Sequence, residues 1–138
     1  MRENPIVIVE DDVEDCEMLT GALKSIGIQN EFRCFDTPVG ALQYLRSTDE
    51  KTFLIISDVN MPLMNGLQFK DTINSDDFLN DKRIPFVFLS TSATTYLVQE
   101  AFRLCVQGYF QKPNSMDGLK KVAHSIINYW QTSMLPVS

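Results

Sequence analysis

The run Thr52-Phe53-Leu54-Ile55-Ile56-Ser57-Asp58 stops abruptly at Val59-Asn60-Met61-Pro62. An apolar, β-rich stretch of this length predicts a buried strand. Proline cannot continue a ladder and restricts the residue before it, so the strand ends there. Asp58 is thereby placed at the carboxyl end of a central strand. In open α/β sheets that edge is where ligands bind. A carboxylate there is a candidate nucleophile or metal ligand. Taken alone, Asp58 could as well cap a turn, since Asp is common in turns.

Asp58 is not alone. The apolar run Pro5-Ile6-Val7-Ile8-Val9 ends in Glu10-Asp11-Asp12. Pro85-Phe86-Val87-Phe88-Leu89 ends in Ser90-Thr91-Ser92, and Gly108-Tyr109-Phe110-Gln111 ends in Lys112-Pro113. These strand ends supply carboxylates, hydroxyls and one lysine. Clustered acids without a cation repel one another and raise each other's pKa. A hard divalent cation removes the conflict, and Mg²⁺ takes one or two carboxylates with waters and phosphate oxygens. The lysine and hydroxyls are then suited to an anion bound at the same place.

Helical and extended patterns alternate along the chain, which predicts a parallel sheet built from βαβ units. Met18, Leu19, Ala22, Leu23 and Ile26 fall at helical spacing, with Gly27 as a stop. Glu31-Phe32-Arg33-Cys34-Phe35 alternates polar and apolar residues, as an edge strand does. Ala41, Leu42 and Leu45 mark a second helix. Leu67, Phe69, Lys70 and Ile73 mark a third, opened after Asn65-Gly66. Asn74 to Arg83 reads as a polar surface loop. Leu97, Val98, Ala101 and Cys105 outline a fourth helix. Leu119, Val122, Ala123, Ile126, Ile127 and Trp130 outline a long fifth.

Composition removes several function classes. The 138 residues suit one domain, expected to span 1–138 with a core over about 5–130 and a tail over 131–138. No output domain is expected after the fifth helix. Net charge is −6, and the basic pairs Lys82-Arg83 and Lys120-Lys121 are isolated, so no nucleic-acid surface is expected. No apolar run approaches a membrane span, and the N-terminus does not read as a signal peptide. Cys16, Cys34 and Cys105 are an odd number without close pairing, which argues against a disulfide framework and for a reducing, cytoplasmic setting. His124, the only histidine, has no metal-spaced partner and reads as structural or solvent-facing.

The set Glu10-Asp11, Asp58 with Asn60-Met61-Pro62, Ser90 and Lys112-Pro113 resembles the response-regulator receiver domain over about residues 5–130. Within that family the chain is most similar to stand-alone receivers that partner phytochrome-type histidine kinases. Leu89-Ser90-Thr91-Ser92 and Tyr129-Trp130-Gln131-Thr132-Ser133-Met134-Leu135-Pro136 carry the narrower likeness. The resemblance implies a doubly wound, flavodoxin-like α/β fold, with a five-stranded parallel sheet in the order 2-1-3-4-5 and five helices.

The resemblance also implies roles. Asp58 matches the phosphoacceptor, which takes a phosphoryl group from a kinase phosphohistidine with Mg²⁺ as cofactor. Asp11 matches the direct metal ligand, Glu10 the acid that holds a metal-bound water, and the Asn60 carbonyl a further oxygen donor. Asp12 is expected to cap the first helix. Lys112 matches the lysine that pairs with Asp58 and then with the phosphoryl group, before a cis Pro113. Ser90 matches the switch hydroxyl and Tyr109 the switch aromatic. Asn60 and Ser92 stand where phosphate lifetime is tuned. In departures from the pattern, Thr91 stands where a smaller residue is usual, and Cys105-Val106 replaces a common Gly-Ala. If the turn at Cys105 needs a left-handed residue, Cys105 is strained.

The implied activity is that of a signalling protein that catalyses only its own phosphorylation and dephosphorylation and then switches a protein-interaction surface. A haloacid-dehalogenase-type enzyme would want a second acid two positions after the nucleophile, where Asn60 stands. A receiver-like module that is never phosphorylated is the other alternative, against which the intact acids, Ser90 and Lys112 speak. The expected partners are a sensor histidine kinase and an unspecified downstream protein. Tyr129, Trp130, Met134, Leu135 and Val137 read as an apolar C-terminal surface that supports a homodimer.

Overall fold

The computed structural model describes residues 4–132. Five short strands form one sheet: β1 (Ile6–Val9), β2 (Phe32–Phe35), β3 (Leu54–Ser57), β4 (Phe86–Ser90) and β5 (Gly108–Gln111). Their order is β2-β1-β3-β4-β5, and every pairing is parallel. The helices are α1 (Val13–Ser25), α2 (Pro38–Ser47), α3 (Gly66–Ser75), α4 (Asp77–Asp81), α5 (Thr95–Arg103) and α6 (Met116–Thr132). The doubly wound sheet is the one expected.

Successive strand residues point to opposite faces, and this divides the core in two. Ile6, Ile8, Leu54, Ile56, Val87 and Leu89 pack under α1 and α6. Val7, Val9, Ile55, Phe86 and Phe88 pack under α2, α3, α4 and α5. A strand buried on both faces must be apolar throughout, which is why β1, β3 and β4 carry no alternation. Phe69, Phe86 and Phe88 knit α3 to β4, with ring centroids 5.6 and 5.1 Å apart. The strand ends that carry chemistry are thus fixed to a rigid, close-packed layer.

Four expectations are corrected. The connection Asn74–Arg83 contains a helix, α4, so six helices are present rather than five. Asp76 caps α4 by accepting the Leu79 N–H at 3.1 Å, and Leu79 is buried in the core. One apolar anchor inside a polar stretch was enough to fold it. The Lys112-Pro113 bond is not cis; the described residues contain no cis peptide. Trans is the lower-energy isomer, and the turn into α6 is made beyond Pro113, where Ser115 Oγ accepts the Gly118 N–H at 3.0 Å.

Cys16 and Cys34 are joined as a disulfide, leaving Cys105 as the free cysteine. They lie 18 positions apart, but α1 folds back over the sheet and brings Cys16 above the edge strand. Trp130 is core rather than an exposed tail residue, because α6 turns its ring toward α1. Tyr129 is exposed; Met134, Leu135 and Val137 lie outside the described residues. His124 is exposed, as expected.

Cys105 does take the left-handed conformation, at φ 65°. The end of α1 shows what is required. There Gly27, at φ 95°, donates to the Lys24 carbonyl while Ile28 donates to Leu23. The same pair of bonds closes α5, from Cys105 to Phe102 and from Val106 to Ala101. This turn normally takes glycine, because a Cβ is disfavoured there.

Candidate functional site

The loops at the carboxyl ends of β1, β3, β4 and β5 meet at one place. Asp58 follows β3, and its N–H continues the ladder by donating to the Val9 carbonyl at 2.9 Å. Its Oδ1 accepts the Val59 N–H at 2.7 Å and the Asn60 N–H at 3.4 Å. Its Oδ2 is turned toward Lys112 Nζ, 3.8 Å away. The two oxygens are therefore inequivalent: one is held by the turn, the other faces the cluster. Asn65 and Gln68 form a reciprocal cap at the start of α3, and Gly66 donates to the Val59 carbonyl at 2.8 Å. A Cβ on Gly66 would meet the Asp58 carbonyl at 2.2 Å. Only glycine lets α3 press against the Asp58 turn this closely.

Glu10 and Asp11 come from the end of β1. One carboxylate oxygen from each of Glu10, Asp11 and Asp58 can lie within 4.8 Å of the others. Glu10 is buried, Asp58 half-buried and Asp11 exposed, so the cluster opens to solvent on the Asp11 side. Three hard oxygen donors with an open side suit a divalent cation that keeps water ligands. Asp12, as expected, caps α1, with Oδ1 accepting from Glu14 and Asp15 at 2.9 and 3.3 Å.

Lys112 follows β5, and its N–H donates to the Ser90 carbonyl at 2.8 Å. Its Nζ donates to Glu10 Oε1 at 2.5 Å and to Asp15 Oδ2 at 3.2 Å. Burial pushes Glu10 up to about 7; the Lys112 hydrogen bond opposes this, and the charge on Asp58 adds to it. Lys112 is itself raised: desolvation lowers it, but Glu10, Asp58 and Asp15 together outweigh the desolvation. The ammonium is therefore held charged among acids. Asp15 is the one member of this network that the sequence reading missed. It lies in the first turn of α1, three residues after the cap Asp12, and the acidic turn that it shares with Glu14 does not single it out in the sequence.

The β4 side supplies the hydroxyls. Ser90 is fully buried, and its Oγ accepts the Ser92 N–H at 3.2 Å. The Tyr109 hydroxyl donates to the Ser92 carbonyl and lies beside the Ser90 hydroxyl. Burial raises the Tyr109 pKa, with Asp58 adding to the rise. Asn60 Nδ2 donates to Ser92 Oγ at 2.6 Å. Ser92 thus ties the β3 loop to the β4 loop and to Tyr109. Thr91 is exposed rather than turned into the cluster. Leu63, beside the site, is fully exposed at φ 69°, in a turn closed by the Met64 N–H to Pro62 carbonyl bond at 2.8 Å.

Comparison with known proteins places the chain in a family. Response regulator Rcp1 of Synechocystis is 29% identical over 96% of this chain and 93% of its own length. A probable chemotaxis protein CheY of Rhizobium etli is 27% identical over 88% of this chain and 90% of its own. The crystal structure of the phosphorylated cyanobacterial phytochrome response regulator RcpA superposes with a TM-score of 0.85 at 28% identity, covering 98% of this chain and 99% of that one. The Mn²⁺-bound form of Rcp1 superposes with a TM-score of 0.82 at 28% identity, covering 97% and 99%. Residues 6–124 match the response regulator receiver domain, and the chain belongs to that family.

Proposed function

We propose that this protein is a phosphoacceptor of a two-component relay, with Asp58 as the residue that takes the phosphoryl group. The observation that carries the reading is the inequivalence of the Asp58 oxygens. Oδ1 is occupied by backbone N–H groups, whereas Oδ2 faces Lys112 across 3.8 Å. Oδ2 would form the bond to phosphorus as the phosphorus–nitrogen bond of a phosphohistidine breaks and the imidazole leaves. Lys112 Nζ and the Ser90 hydroxyl would then meet the phosphoryl oxygens. Glu10, Asp11, Asp58 and the Asn60 carbonyl would hold Mg²⁺, which supplies neutralisation of the charge gathered there.

Ser90 and Tyr109 would carry the switch. When the Ser90 hydroxyl turns to the phosphoryl group it leaves Tyr109, and the Ser92 loop is released to a second arrangement. The Asn60–Ser92 hydrogen bond stands across the mouth of the site and would tune phosphate lifetime. Residues 1–138 would act as one receiver unit whose output is contact with another protein. The donor is proposed to be a sensor histidine kinase of phytochrome type, supported by the likeness to a phytochrome response regulator. A cytoplasmic setting rests on the family alone, because two of the three cysteines are paired.

Incubation with Mg²⁺ and a small acyl-phosphate donor tests the reading by intact mass. One added phosphate on the wild type and none on Asp58→Asn is expected. Equal uptake by the variant, or none by the wild type, contradicts it. A homodimer through α6 and the tail is the further part of this reading, supported by the exposed Tyr129 ring beside the buried Trp130. Truncation after Gln131 should lower the solution mass toward a monomer; an unchanged mass with and without a phosphate analogue removes the tail from the interface.

A further inference from the structure

We propose that Cys16 and Cys34 form a reversible dithiol–disulfide site, with a low-molecular-weight disulfide as its oxidant, that clamps α1 to the sheet edge. The placement of the two residues carries the inference. Cys34 lies on β2, an edge strand bonded only to β1, and is exposed. It stands in register with Ile8, which shares the α1-side core with Cys16. Cys34 therefore stands on the sheet face that α1 covers. Cys16 lies in the first turn of α1 on its buried face, 7% exposed, and its N–H donates to the Asp12 carbonyl at 3.0 Å. The Cα atoms are 6.9 Å apart, and the sulfurs are bonded.

The asymmetry of exposure assigns the two sulfurs different parts. The Cys34 thiolate is the accessible one, and attack depends on access and thiolate character. It attacks one sulfur of the small disulfide, forming a mixed disulfide on Cys34 and expelling one thiolate. Cys16 Sγ, its proton passed to solvent, then attacks Cys34 Sγ. The Cys16–Cys34 bond forms, the mixed disulfide breaks, and the second thiolate leaves. The protein loses two electrons and two protons; the small disulfide gains both and ends as two thiols. Reduction is the reverse, beginning with a small thiolate at Cys34.

The clamp acts on the part of α1 that serves the acid cluster. Asp12 caps this helix and Asp15, adjacent to Cys16, binds Lys112 at 3.2 Å. In the oxidised chain the first turns of α1 are anchored covalently to β2. In the reduced chain they are held by packing and by the Lys112 network. The thiol pair and the α1 start that it holds do not depend on whether Asp58 is the phosphoacceptor.

The test equilibrates the full chain in glutathione buffers from reducing to oxidising and quenches with a thiol-alkylating reagent under denaturing conditions. In the wild type, peptide mapping should find Cys16 and Cys34 labelled in the reducing buffer and crosslinked to each other in the oxidising one, while the exposed Cys105 carries the label or glutathione and never joins the crosslink. Cys34→Ser should carry two labels in the reducing buffer and form no Cys16 crosslink in the oxidising one. Cys16→Ser should retain a glutathione adduct on Cys34, because the resolving sulfur is gone. Hydrogen exchange should be slower in α1 of the oxidised wild type than of the reduced, with no such difference in Cys34→Ser, whose exposed substitution leaves the core intact. Three labels across the whole series, a Cys34 adduct that the wild type never resolves, or identical α1 exchange in both states overturns the proposal.

Discussion

Lys112 donates its shortest hydrogen bond to Glu10, at 2.5 Å, and stands off from Asp58 at 3.8 Å. Before any phosphate arrives, the lysine is thus engaged by the acid most deeply buried in the cluster. A cation taken up at Glu10, Asp11 and Asp58 would compete with Lys112 for Glu10. The lysine would then be freed toward whatever Asp58 carries.

Metal affinity should therefore follow the ionisation of Glu10. Burial, the largest cause, places its carboxyl at about 7 against an ordinary value of 4.5. Below about 7 the folded protein holds a proton there that the cation must displace; above it the carboxylate is ready. Mg²⁺ affinity is expected to rise as pH rises through about 7 and to level off beyond. Calorimetric titration across that range checks this, with Glu10→Gln as control. The same step in Glu10→Gln would assign the titration to another group.

Ser90→Ala should accept phosphate but transmit it poorly. Removing a hydrogen bond to a charged phosphoryl forfeits roughly 1.5–3 kcal/mol of the difference between the two states. Phosphate-induced chemical-shift changes at Tyr109 should shrink in the variant. Changes of wild-type size would break the link between Ser90 and Tyr109.

Gly66→Ala probes the support under Asp58. The added Cβ would lie 2.2 Å from the Asp58 carbonyl, 2.7 Å from the Phe88 ring and 2.9 Å from Val59 Cα. Two of the three are backbone and cannot step aside. Overpacking of this kind costs about 1–3 kcal/mol, and the Asp58 turn must shift with it. Urea denaturation should show that loss together with slower phosphate uptake. Full stability with normal uptake would mean that the β3 loop is softer than its packing indicates.

Cys105→Gly should stabilise the fold. The residue sits at φ 65° and is exposed, so the substitution relieves a left-handed Cβ without emptying the core. Relief of about 1–2 kcal/mol, partly offset by the entropy of a new glycine, leaves a gain of about 1 kcal/mol. A lower denaturation midpoint in the variant would show that the thiol makes contacts that outweigh the strain.

The sheet was legible because its central strands β1, β3 and β4 are short, apolar and cut off by a polar group or proline, and the edge strand β2 alternates. The acid cluster was legible for the same reason: Glu10, Asp11, Asp58, Ser90 and Lys112 all sit at such cuts. Contacts that join distant segments were not. The Cys16–Cys34 pair depends on how α1 lies over β2, and no spacing in the sequence encodes that angle. Asp15 meets Lys112 across 97 positions of chain, through the long lysine side chain, so its part was hidden while its neighbours' parts were plain. Leu79 inside a polar run folded α4 where composition alone indicated a loop. Trp130 satisfied both a helical stripe and an apolar tail, and only the packing of α6 against α1 decided between them.

The central claim is that a phosphoryl group is carried on Asp58, and chemical trapping of the acyl phosphate tests it most directly. The protein is loaded with Mg²⁺ and a small acyl-phosphate donor and then reduced with borohydride, which converts an aspartyl phosphate to homoserine. Peptide mass mapping should place homoserine at position 58 in the loaded sample and nowhere in an unloaded one. Homoserine at Asp11 or another acid, or a loaded protein with none, would contradict the account.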